Sequence, residues 1–195
     1  MKTLVVAVRT FLFFTVLTGI VYPMMITGIA QTLFPFQANG SIAQRDGVAV
    51  GSELLGQSFR NPRYFQSRPS ATASFPGNAM AGSGSNLALT NPAWAELVRH
   101  RASELRQVQE NDVAAIPVDL LTASASGLDP HISKRAAMFQ ATRVASARGM
   151  SLERVTALID TLVEPGRMEL GTIDRVNVLR LNLAMDAEEK TSVSK

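Results

Sequence analysis

Residues Thr10–Leu33 read TFLFFTVLTGIVYPMMITGIAQTL, and how this stretch is read decides how the rest of the chain is built. It has no charged side chain, and the uncharged run continues to Gln44. A helix of about 20 apolar residues crosses the hydrocarbon core of a bilayer. At about 1.5 Å per residue the quoted stretch spans about 36 Å, enough to cross with some tilt. The alternative is a secretory signal peptide, whose apolar core is usually about 7–15 residues long. This core is longer, and its best small-x-small site, Gly28-Ile29-Ala30, lies deep inside it. The expectation is therefore an uncleaved membrane anchor.

The flanking charges orient it. Lys2 and Arg9 precede the stretch with no acid among them, whereas Arg45 beyond it is followed at once by Asp46. Positively charged flanks stay on the cytoplasmic side. The chain is expected to have a cytoplasmic tail at 1–9, a transmembrane helix at 10–34 and an extracytoplasmic domain at 35–195. Pro23 sits inside the helix, where its ring displaces the carbonyl of Gly19 and predicts a kink. Thr15, Thr18, Gly19, Thr27 and Gly28 are small enough to let a second helix approach closely around that point.

Composition narrows the class. Hydrophobic residues make up 46% of the 195 and charged residues 18%, which excludes a disordered chain. The net charge of +3 does not signal nucleic-acid binding. Lys2 and Arg9 account for two of the 19 basic residues, and all 16 acidic residues lie beyond Arg45, so the outer domain is nearly neutral. No block of like charge remains to grip a polyanion. There is no cysteine, which excludes disulfides, thiol catalysis and zinc–thiolate sites.

The outer domain reads as α+β, with helices packed on a small sheet. Asn39-Gly40-Ser41 and Asp46-Gly47 are turn signals, and Val48-Ala49-Val50 and Leu54-Leu55 suit short strands. Residues 61–91 are rich in Ser, Gly, Pro and Asn and predict a long loop, with a flexible connector over Ala81–Asn86. Thr90-Asn91-Pro92 predicts a helix start, and Trp94, Leu97, Val98, Leu105 and Val108 follow on one face. That helix is expected to end near Asn111, with Trp94 as a core anchor. Ile116–Thr122 suits a strand. Asp129-Pro130 announces a helix to Arg148, stopped by Gly149, and Ser151 caps another to Leu162. Asp174–Met185 fits both periodicities, with helix preferred.

Signals for catalysis are weak. His100 and His131 are the only histidines. Asp129 with His131 makes a poor metal pair, and neither Ser124 nor Ser126 sits in a G-x-S-x-G elbow. A membrane-anchored extracytoplasmic hydrolase and a simple binding module remain the alternatives to a subunit of a larger assembly.

The chain resembles the C subunit of the Kdp high-affinity potassium-transporting P-type ATPase of bacteria over nearly its whole length. The residues that carry the likeness are Tyr22-Pro23, Thr27-Gly28-Ile29-Ala30-Gln31, Gln37-Ala38-Asn39-Gly40-Ser41 and Ser85-Asn86-Leu87. The run Val118–Ser133, then Gln140-Ala141-Thr142-Arg143, and Arg175–Leu183 complete it. The resemblance implies a non-catalytic subunit of the bacterial inner membrane. Its partners would be a potassium-channel-like subunit, a P-type ATPase subunit and a small single-span subunit. It implies no covalently bound cofactor, and a catalytic chaperone that raises the pump's affinity for ATP. The Gln-x-x-Arg pair, Gln140 and Arg143, is the implied nucleotide contact. An arginine fork suits phosphate and glutamine a base edge. Two features oppose this. The flanking charges put Gln140 and Arg143 on the side away from cytoplasmic ATP, and both side chains could instead hydrogen-bond the long loop.

Overall fold

The computed structural model describes residues 1–108, 115–166, 171 and 173–193. The chain forms two compact units, Met1–Val50 and Gly51–Lys195. The first is dominated by an apolar helix over Lys2–Leu33 with a mean hydropathy of 2.2 and no buried residue. It consists of α1 (Lys2–Val16), a π-helical turn (Leu17–Val21) and α2 (Tyr22–Leu33). Pro23 leaves its mark as that wide turn. The Tyr22 N–H reaches back to the Leu17 carbonyl, an i→i−5 bond, just ahead of the residue that has no N–H to give. The threonine hydroxyls are spent within the helix, Thr15 on the Phe11 carbonyl at 2.8 Å and Thr18 on that of Phe14 at 2.7 Å. In hydrocarbon no water is present to satisfy them.

A short helix α3 (Pro35–Ala38) leads into a hairpin of β1 (Ile42–Arg45) and β2 (Val48–Ser52). Asp46 and Gly47 both take positive φ, the requirement of a two-residue hairpin turn whose twist matches the strands. Leu54-Leu55, expected in a strand, lies in a turn where the Leu55 N–H bonds the Ser52 carbonyl.

The second unit packs helices on a small antiparallel sheet. In chain order its elements are α4 (Pro92–Val108), α5 (Val118–Leu121), β3 (His131–Ser133), α6 (Lys134–Arg148), α7 (Leu152–Leu162), β4 (Val163–Glu164), β5 (Arg175–Asn177) and α8 (Val178–Val193). The strand order is β3-β5-β4, with Ile132 opposite Val176 and Val176 opposite Val163. Ile132, Val144, Val155, Ile159, Val176 and Leu181 make the buried core between sheet and helices.

Several further sequence expectations change. Ile116–Thr122 is not a strand. Pro117 opens the single helical turn α5, which buries Leu120 at 4% exposure and leaves Val118 at 69%. The helix expected from Pro130 begins only at Lys134, because His131–Ser133 pair with β5 first and the Ser133 hydroxyl then caps Ala136. Asp174–Met185 is both things in turn, with β5 running straight into α8. Trp94 is not in the core. It is only partly buried, and α4 contributes only Leu105 to core packing. The α4 start is as expected, with the Ala93 N–H donating to the Asn91 side chain at 2.9 Å. Its end near Asn111 lies outside the described residues.

Gly149 adopts the left-handed conformation, φ 64°, that lets the α6 terminus close on the Ala145 and Ser146 carbonyls. The Ala81–Asn86 glycines are not a loose connector. A Cβ on Gly84 would lie 2.8 Å from the Ala125 carbonyl oxygen, so this segment is packed against the 123–128 turn.

Candidate functional site

Gln140 and Arg143 stand one turn apart on α6, and both face the irregular segment 62–66. Gln140 is 1% exposed. Its Oε1 accepts from the Gln66 N–H at 2.8 Å and its Nε2 donates to the Gln66 carbonyl at 3.1 Å. The side-chain amide thus pairs with one residue of backbone as a neighbouring strand would. Asn182 on α8 repeats the arrangement one residue earlier. It accepts from the Phe65 N–H at 2.8 Å and donates to the Phe65 carbonyl at 3.0 Å. A buried peptide group without such a partner costs about 1–3 kcal/mol, so two side-chain amides replace the missing strand.

Arg143 extends the same grip. Its guanidinium donates to the Pro62 carbonyl, to the Tyr64 carbonyl at 3.1 Å and to Gln140 Oε1 at 2.8 Å. Burial pushes its pKa below the ordinary arginine value. Arg148, at the end of α6, holds the other flank. Its Nε donates to the Arg63 carbonyl at 2.7 Å. Its two terminal nitrogens reach Asp186 at 2.8 Å and Glu189 at 3.0 Å, and its guanidinium carbon lies 4.9 Å from the centre of the Tyr64 ring. Arg63 pairs with Glu189 as well, which draws the Glu189 carboxyl below its usual range. Phe65, fully buried, is the apolar pin of the segment so held.

Gln140 and Arg143 are thus brought together, and Asn182 and Arg148, which the sequence reading did not single out, complete the clamp. The only sequence signal for Asn182 was a polar residue inside Leu181-Asn182-Leu183. Arg148 gave none, since a basic residue in a last helical turn is ordinary.

The Val118–Ser133 run forms a second polar junction. The Asp119 carboxylate accepts from the Ser133 N–H at 2.8 Å and tethers α5 to β3. His131 does not meet Ser124 or Ser126. Its ring nitrogens face Asp129 at 3.5 Å and Glu164 at 3.6 Å. Arg68 reaches the same Asp129 carboxylate at 3.1 Å. Burial opposes the charge on Asp129, but hydrogen bonds from His131 and the Arg68 guanidinium overcome it and hold the carboxyl below its usual range. A depressed folded pKa contributes stability above the unfolded value, and that stability is lost as pH falls through the folded one. Asp129→Asn is therefore expected to lower Tm at pH 7, with the gap to wild type closing below about pH 4. Melts at pH 7 and pH 3 check this, and a gap that does not change with pH contradicts it.

Residues 4–187 match the family model described as the K+-transporting ATPase, c chain, KdpC. The chain belongs to the KdpC family. It is 52% identical over 181 residues to the potassium-transporting ATPase KdpC subunit of Polaromonas naphthalenivorans, covering 93% of this chain and 92% of that one. The KdpC subunit of Methylococcus capsulatus is 50% identical, with 93% and 95% covered. That of Yersinia enterocolitica is 46% identical, with 96% and 94% covered. The KdpC match thus takes in the apolar helix, the clamp and the Asp129 junction together.

Proposed function

We propose that the chain is a non-catalytic accessory subunit of an ATP-driven potassium-uptake complex, in which it supports assembly. The observation that carries this is the family match over residues 4–187, spanning membrane helix and outer domain alike. In this reading the chain lies in the bacterial inner membrane with its N-terminus cytoplasmic, following the Lys2 and Arg9 flank. Its partners are the channel-like subunit, the P-type ATPase subunit and the small single-span subunit, and ATP enters through the ATPase subunit.

A rise in ATP affinity, the catalytic-chaperone role, then acts through the assembled complex. Gln140 and Arg143 are engaged with residues 62–66, and a nucleotide would have to displace Gln66 and Tyr64 to reach them. Their grip on the loop supports a structural role. The hydrolase reading gains no support from His131, which is turned toward two carboxylates.

The membrane helix supplies the test. A Cβ added at Gly19 or Gly28 meets nothing within 4 Å in this chain, so a larger side chain there does not disturb the helix itself. Close packing of a partner helix beside Pro23, Thr15 and Thr27 is therefore what Gly19→Leu would obstruct. The variant is expected to fold as wild type and to recover the other subunits at least about fivefold less well in a mild-detergent pull-down, a loss of roughly 1 kcal/mol. Normal recovery contradicts packing at Gly19.

A further inference from the structure

A cavity of about 460 Å3 opens on the second unit, with Gln66 of the clamped segment in its lining. Its walls are built by close backbone approach. A Cβ on Gly56 would lie 2.6 Å from the Asp129 carbonyl oxygen, and one on Gly77 2.5 Å from that of Gly56. The Ser70 hydroxyl ties the rim, donating to the Gly127 carbonyl at 2.8 Å and accepting from the Gly77 N–H at 3.0 Å. The cavity is therefore preformed.

Its charges do not balance locally. Arg60, Arg68 and Arg101 line it together with the carboxylates of Asp129 and Glu104. Asp129 is engaged by Arg68 and His131, and Glu104 lies 3.4 Å from His100. Arg101 donates to the Leu121 carbonyl at 2.8 Å. Among the described residues neither Arg60 nor Arg101 has an ion-pair partner. Burial lowers the pKa of Arg101, and the nearby Glu104 carboxylate only partly offsets it. Ser124, 5% exposed, also lines the cavity. One further donor is left over. The Nε of Arg68 is buried with no hydrogen-bond partner. Buried polar groups are rarely left so in a native protein. Phe59, Leu105 and Leu120 supply an apolar wall beside them.

We propose that this cavity binds a small amphiphilic oxyanion, a carboxylate or phosphate monoester on a short apolar stem. The oxygens sit between Arg60, Arg101 and the Ser124 hydroxyl, and the stem lies against Phe59 and Leu105. Guanidinium forks pair with either oxyanion in two-point fashion, and partial burial strengthens the contact. The proposal does not depend on membrane orientation or on the pump.

The test is calorimetric titration of the full chain in non-ionic detergent with butyrate, butyl phosphate and 1-butanol. Saturable binding of either anion, with 1-butanol at least about tenfold weaker, is expected, and the anion that binds identifies the oxyanion. Arg60→Gln changes an exposed side chain without a partner, so the fold should be unaffected, and it is expected to weaken anion binding about tenfold. Ser124→Ala should weaken it about threefold. Absence of saturable binding by both anions overturns the proposal. So does 1-butanol binding as tightly as the anions, or unchanged anion affinity in Arg60→Gln.

Discussion

Replacing Arg148 with alanine is expected to destabilise the second unit by about 3–5 kcal/mol and lower Tm by about 10 °C. The guanidinium side chain is 1% exposed, and Asp186 beside it only 12%. Taking away one member of a buried pair leaves the other charge without compensation, which costs far more than the pair contributes when intact. The Arg63 carbonyl and the Tyr64 ring lose their partner as well. Thermal unfolding of the full chain by circular dichroism measures this, and a loss below about 1 kcal/mol would show the ion pair to be a surface contact in effect.

Gln140→Ala is expected to follow at about 3 kcal/mol, since it orphans both peptide groups of Gln66 and opens a void beside α6. It also removes the acceptor that orients Arg143. The informative measurement is a split between two readouts. If the pair is a strut, Tm falls while the assembled complex keeps its KM for ATP within about twofold. If the pair holds nucleotide, KM rises tenfold or more, by about 1.4 kcal/mol, even where the complex is fully assembled.

The parts of this fold that sequence made legible are those set by local chemistry. The apolar run Thr10–Leu33 had no other stable form, and Asn91-Pro92, Ser151 and Gly149 marked helix ends through side-chain and backbone rules that act within a few residues. What stayed hidden depends on partners far along the chain. His131–Ser133 is a strand because Arg175–Asn177 lies beside it, and three residues carry no readable period. The short turn at Val118–Leu121 could not be told from a strand by its apolar character alone. Gln140 was singled out from resemblance, but Gln66, which it grips, lies 74 residues earlier. No spacing rule connects them. Asn182 and Arg148 were missed for the same reason. Each is a polar residue in an apolar setting whose meaning appears only once the segment 62–66 is laid against it. Trp94 misled in the opposite sense, because an amphipathic face predicts a fully covered face, and α4 leaves its tryptophan only partly buried and outside the core.

The central claim is membership in a potassium-transporting assembly, and recovery of that assembly tests it most directly. The full chain, tagged after Lys195 and drawn from bacterial membranes in mild detergent, is predicted to bring with it larger membrane subunits whose ATPase activity rises with potassium. A chain recovered alone, or with partners whose ATP hydrolysis ignores potassium, would contradict the account.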